Sequence, residues 1–88
     1  MATHTQSAPV QKIVRLTAKQ GKAHLLRAAL ATLETATAQE AGCIEFTFYQ
    51  ALAEEGSFVL LEHFADENAF SVHMEMPYTK AFFQAALV

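Results

Sequence analysis

The sequence predicts a single α+β domain in the order β-α-β-β-α, stable only when two copies associate. Three observations carry that expectation. Period-two apolar runs stand before and after one long helical stripe. Two of those runs are joined by a short polar turn that ends in glycine. And 88 residues are few for a self-sufficient core.

Residues 1–9 (MATHTQSAP) are small and polar and read as a loose arm ahead of one domain, residues 10–88. In Val10 to Lys19, Val14, Leu16 and Ala18 alternate with Arg15, Thr17 and Lys19, a strand period that Gly21 ends. From Lys22 to Glu40, Leu25, Leu26, Ala29, Leu30, Leu33 and Ala36 make one helical face. Gly42 is placed to take the left-handed conformation that closes a helix. Cys43 to Leu52 (CIEFTFYQAL) is rich in aromatic and β-branched residues. Alternation there puts Ile44, Phe46 and Phe48 on one side and Glu45, Thr47 and Tyr49 on the other.

After the turn Ala53-Glu54-Glu55-Gly56, Ser57 to Ala65 (SFVLLEHFA) completes a hairpin. Phe58, Leu60, Glu62 and Phe64 oppose Val59, Leu61 and His63, so both faces are largely apolar, as in a central strand covered on both sides. Asp66 reads as an N-cap, and Glu67 complements the helix dipole. Ala69, Phe70, His73 and Met76 share one face of the helix that follows. Pro77 starts a further helical turn, and Tyr78 to Leu87 continues it with Phe82, Phe83 and Leu87 as buried candidates.

This order is the ferredoxin-like βαββαβ unit with its final strand short or missing. Helices on one face leave the other side of the sheet needing cover. The sheet of a second subunit would supply it by face-to-face packing, which makes a dimer the expected state. In the usual strand order 4-1-3-2, a missing last strand also exposes the Ile13-Val14-Arg15-Leu16 edge, which the partner is expected to cover. Disulfides and metals are the other supports of small domains. The single Cys43 excludes an internal disulfide, and no ligand spacing announces a metal.

Nine acidic residues against six scattered basic ones is the wrong balance for neutralising phosphates, so nucleic acid is not an expected partner. No apolar run approaches the roughly 18 residues of a membrane span, and no signal-peptide pattern is seen. With one free thiol, these features predict a cytoplasmic protein.

The stretches that could carry chemistry are Glu40-Ala-Gly-Cys-Ile-Glu-Phe46, then Phe58 to His73, then Pro77 and Phe82-Phe83. Within them Glu40, Gly42, Cys43, Phe46, Leu60, Glu62, Phe64, Asp66, Ala69, Phe70, His73 and Phe83 form an ordered set. Over about residues 10–87, that set resembles the antibiotic biosynthesis monooxygenase domain family, small dimeric α+β barrels that include quinol monooxygenases. The resemblance implies a ferredoxin-like fold and a homodimer whose two sheets make a barrel. In oxygenase members it also implies oxidation of phenols, anthrones or quinols by O₂ with no metal or flavin cofactor. The chemistry is intelligible: a deprotonated electron-rich aromatic can reduce O₂ itself, so the protein need supply only a base, a dry pocket and orientation.

His73 is the candidate base, because an imidazole can accept a phenolic proton near neutrality. The competing reading is a core histidine tied to a strand carbonyl or to Glu62. Glu62, mid-strand between apolar neighbours, either orients His73 or pairs with Arg15 or Lys12 across the dimer. Phe46, Phe64, Phe70 and Phe83 are candidate pocket walls, and Tyr49 and Tyr78 candidate hydrogen-bond donors to a substrate oxygen; each could equally serve packing. In haem-degrading relatives, a tryptophan at the place of Phe64 and an asparagine on the first strand belong to the active site. Val10 to Lys19 holds no asparagine, so haem degradation is not expected. Cys43 has no adjacent base and reads as an inert thiol.

Three functions fit these residues. One is a cofactor-independent monooxygenase on a small phenolic or quinol-type aromatic. Another is a non-catalytic dimer that binds a small molecule, as in a stress response. The last is an isomerase using the same His and Glu.

Overall fold

A computed structural model of the protein describes residues 8–88, so all of the predicted arm except Ala8 and Pro9 lies outside the described residues, as does His4. The elements are β1 (Val10–Thr17), α1 (Ala23–Thr37), β2 (Cys43–Gln50), β3 (Ser57–Phe64), α2 (Glu67–Glu75) and α3 (Pro77–Gln84). β3 lies between β1 and β2 and is antiparallel to both. This is the α+β, ferredoxin-like arrangement the sequence predicts, with the strand that is apolar on both faces at its centre.

All three helices lie on one face of the sheet. Leu26, Leu30 and Leu33 of α1 are buried against Phe58, Leu60, Phe46 and Phe64, and Phe48 and Phe82 join the two halves of that core. Each such side chain contributes roughly 1.5–3 kcal/mol by leaving water. The opposite face follows from the register. Gln11, His63 and Glu45 form one cross-strand row, Ile13, Leu61 and Thr47 the next, and Arg15, Val59 and Tyr49 a third. Nothing in the chain's described residues covers it, and Ile13 is 75% exposed.

Local chemistry sets the helix starts. The Asp66 side chain accepts the Ala69 N–H at 2.8 Å, the N-cap bond expected of it. Met76 is extended (φ −65°, ψ 140°) and Pro77 follows at the first helical position, so α2 and α3 are separate helices.

Several expectations need correction. α1 stops at Thr37, short of Glu40. Gly42 does not close it: among the described glycines only Gly21 (φ 77°) is left-handed. Gly42 is required by a close approach instead, since a Cβ there would stand 2.3 Å from the Cβ of Ala69. Leu25 faces outward, 54% exposed. Ile44 does not join Phe46 and Phe48, because the β2–β3 register shifts between Cys43 and Glu45; a bulge absorbs one residue and the alternation restarts after it. Phe83 is 58% exposed, because the short α3 turns Tyr78, Thr79 and Phe82 inward. That helix ends at Gln84 rather than Leu87, and the described residues hold three strands. Beyond it the Leu87 carbonyl accepts the Lys19 N–H at 2.8 Å, which returns Leu87 to the core beside Leu26 and Phe58.

Candidate functional site

α2 places His73 in its last turn, facing the sheet, and only 3% of the residue is exposed. The centroids of Phe64 and Phe46 lie 5.0 and 5.2 Å from its ring, and that of Phe70 lies 6.4 Å away. In β2, Phe46 stands opposite Glu62 in the unbroken register that runs on to the hairpin turn, which sets it on this face.

Glu40 reaches His73 from the loop between α1 and β2, its Oε2 3.1 Å from His73 Nδ1. The Tyr78 hydroxyl, from the first turn of α3, donates to the same oxygen. The loop is pinned: the Glu40 N–H bonds the Thr37 carbonyl, the Cys43 N–H bonds the Glu40 carbonyl, and the Gly42 carbonyl accepts the Ala65 N–H. The Glu40 side chain is 5% exposed. Its other oxygen, Oε1, is buried without a hydrogen-bond partner among the described residues, as are the hydroxyls of Thr37 and Thr79.

Burial and the Glu40 bond hold the Tyr78 phenol in its neutral form, pushing its pKa up to about 12. Glu62, half-buried on the same face, has its pKa raised by desolvation, with His73 and Lys12 working the other way. Lys12 is its cross-strand neighbour in the same chain, and the Lys12 ammonium lies 4.8 Å from the centroid of Phe70. Desolvation, then Glu40, raises the pKa of the Cys43 thiol, which makes it a poor nucleophile.

His73, Phe46, Phe64 and Phe70 thus form one cluster, with Glu62 and Lys12 at its polar end. The carboxylate that bonds His73 is Glu40, not Glu62. Tyr78 belongs to the cluster through Glu40, which occupies its hydroxyl. Tyr49 does not join it, lying on the open face of the sheet at 53% exposure. Phe83 touches Phe82 edge-on and stays at the surface. Arg15, the other partner considered for Glu62, sits opposite Val59 on the open face. The sequence signal for Glu40 is its place in the Glu40-x-Gly42-Cys43 run; Lys12 is a partner expected for Glu62, here within one chain rather than across a dimer.

Two open grooves adjoin the cluster. One, of about 520 Å³, runs over Glu40, Gly42, Asp66, Ala69, Val72 and Met76. The other, about 300 Å³, involves Gln11, Ile13, Glu45, Leu61, Glu62 and His63 at one end of the sheet. No group of three or more His, Cys, Asp or Glu side chains is placed to hold a metal among the described residues, and no described helix is long and apolar enough to cross a membrane.

The sequence model of one protein family, antibiotic biosynthesis monooxygenase, matches residues 4–85. No curated protein matches. Solved structures do. One from Shewanella oneidensis is 28% identical at a TM-score of 0.84, the match covering 93% of this chain and 80% of that one. One from Mycobacterium tuberculosis is 26% identical at 0.83, covering 92% and 84%. A Nitrosomonas europaea structure that bears the family's name is 20% identical at 0.83, covering 97% and 84%, and supports the fold.

Proposed function

The chain belongs to the antibiotic biosynthesis monooxygenase family, and from that premise we propose that it is a cofactor-independent monooxygenase oxidising a small phenolic or quinol-type aromatic with O₂. One observation supports this above the rest: a buried imidazole, His73, walled by Phe46, Phe64 and Phe70. Such walls suit a flat aromatic ring and exclude water, and the imidazole takes the phenolic proton. The phenolate then gives one electron to O₂, and the phenoxyl radical and superoxide combine at a ring carbon. The peroxide loses water. One O₂ is consumed, one oxygen atom enters the ring as a quinone carbonyl, and the other leaves as H₂O.

A homodimer is part of the proposal, each copy laying its open sheet face on the other. Ile13, Val59, Leu61 and Tyr49 make that face apolar enough to need cover. Light scattering at micromolar concentration should return twice the chain mass, and Ile13→Asp should return the single mass.

Oxygen uptake with reduced naphthoquinols and anthrones tests the chemistry. Uptake should depend on the protein and fall about 100-fold or more in His73→Ala, as for a lost general base. Undiminished uptake in a folded His73→Ala would remove the base from this site. The near-complete burial of His73 and its bond to Glu40 favour a second reading, a dimer that binds such aromatics without converting them; saturable binding with no uptake in any substrate would select it.

A further inference from the structure

We infer that Glu40 and Tyr78 are positioning residues for His73: Glu40 fixes the proton of the imidazole on Nδ1, and Tyr78 fixes Glu40. The inference rests on the reading of His73 as the base. An ionised carboxylate can only accept hydrogen bonds, so the 3.1 Å contact from His73 Nδ1 to Glu40 Oε2 requires the hydrogen on Nδ1. The lone pair is then on Nε2, the nitrogen that remains for substrate. A positive charge arriving on the ring forms next to a carboxylate already in place, with no rearrangement.

Tyr78 completes the device. Its hydroxyl binds the same Oε2, so that oxygen carries two donors while Oε1 carries none among the described residues. A clamp serving only to hold α1, α2 and α3 together would gain by satisfying both oxygens, since an unmet buried acceptor is destabilising. The asymmetry instead keeps one oxygen aimed at the imidazole. The three groups come from three different segments, the loop after α1, the last turn of α2 and the first turn of α3. Nothing local would bring them together.

Long-range ¹H–¹⁵N spectra of ¹⁵N-labelled protein report which ring nitrogen of His73 holds the proton. In the unaltered chain the neutral ring should be protonated on Nδ1. In Glu40→Gln the amide can donate to Nδ1, so the Nε2–H form should gain population; in Tyr78→Phe the Nδ1–H form should persist. With an oxidisable quinol, Glu40→Gln should lower kcat about 10- to 100-fold with KM little changed, and Tyr78→Phe should fall between. A wild-type ring protonated on Nε2 overturns the inference, and that measurement needs no variant to fold. An unchanged kcat in folded Glu40→Gln overturns it as well. If the ring is protonated on Nδ1 and shifts in Glu40→Gln but no quinol is oxidised, the anchor stands and the oxygenase reading fails.

Discussion

Replacing Gly42 with alanine should destabilise the protein through a single contact. The added Cβ would lie 2.3 Å from the Cβ of Ala69 and 3.4 Å from its Cα. Methyl carbons settle at about 3.5–4.0 Å, so the loop or α2 must move by roughly 1 Å. Backbone strain is not involved, because Gly42 does not have a positive φ. Neither side yields cheaply. The Gly42 carbonyl bonds the Ala65 N–H, and Ala69 donates its own N–H to the Asp66 cap. Overpacking of this kind costs about 1–3 kcal/mol. For a domain of this size, 2 kcal/mol is a fall of about 8–16 °C in Tm. The partner change identifies the cause. Ala69→Gly alone should cost about 1 kcal/mol as a helical glycine, and the double variant should be little less stable than Ala69→Gly. Thermal unfolding by circular dichroism at one fixed protein concentration measures all four forms. Additivity of the two single effects within about 0.5 kcal/mol would refute the contact argument.

Two further outcomes follow from single groups. Burial raises the carboxyl pKa of Glu62, so the folded chain holds that proton more tightly than the unfolded chain. The contribution of Glu62 to stability is therefore greatest below the ordinary carboxylate range and is lost as pH rises through the raised folded value. Glu62→Gln should raise Tm at pH 7 but not at pH 4; an equal shift at both would rule out the titration. Asp66→Ala should remove the bond to the Ala69 N–H and cost about 1 kcal/mol in urea unfolding, with an unchanged slope.

What the sequence made legible was periodic. The alternation in Val10 to Thr17, the stripe of Leu26, Leu30 and Leu33, the double-faced SFVLLEHF run and the Asp66 cap are all local patterns, and local patterns suffice to order the elements. The failures are also physical. Ile44 departs from the alternation because a bulge inserts one residue into the period, and composition does not mark it. Gly42 reads as a helix cap when only neighbours in sequence are considered; its actual neighbour is Ala69, across the fold. The clustering of the candidate site was legible in its histidine and three of its phenylalanines, all on apolar faces. Glu40 stands out in the Glu40-x-Gly42-Cys43 run, but its partnership with His73 is not legible, because the contact spans 33 residues and depends on where a loop closes. By type Phe83 reads as a wall residue and Tyr49 as a hydrogen-bond donor, but the short α3 and the open sheet face place them elsewhere.

The extended Met76 has a consequence that side-chain contacts alone do not reveal. Along an unbroken helix each residue advances about 100°, so two side chains five apart diverge by about 140°. His73 and Tyr78 are five apart and yet meet at one oxygen. The interruption before Pro77 supplies the change of axis that this convergence needs. Pro77 thus acts on the imidazole without touching it, and a residue there that let the helix run on would swing the phenol away from its acceptor.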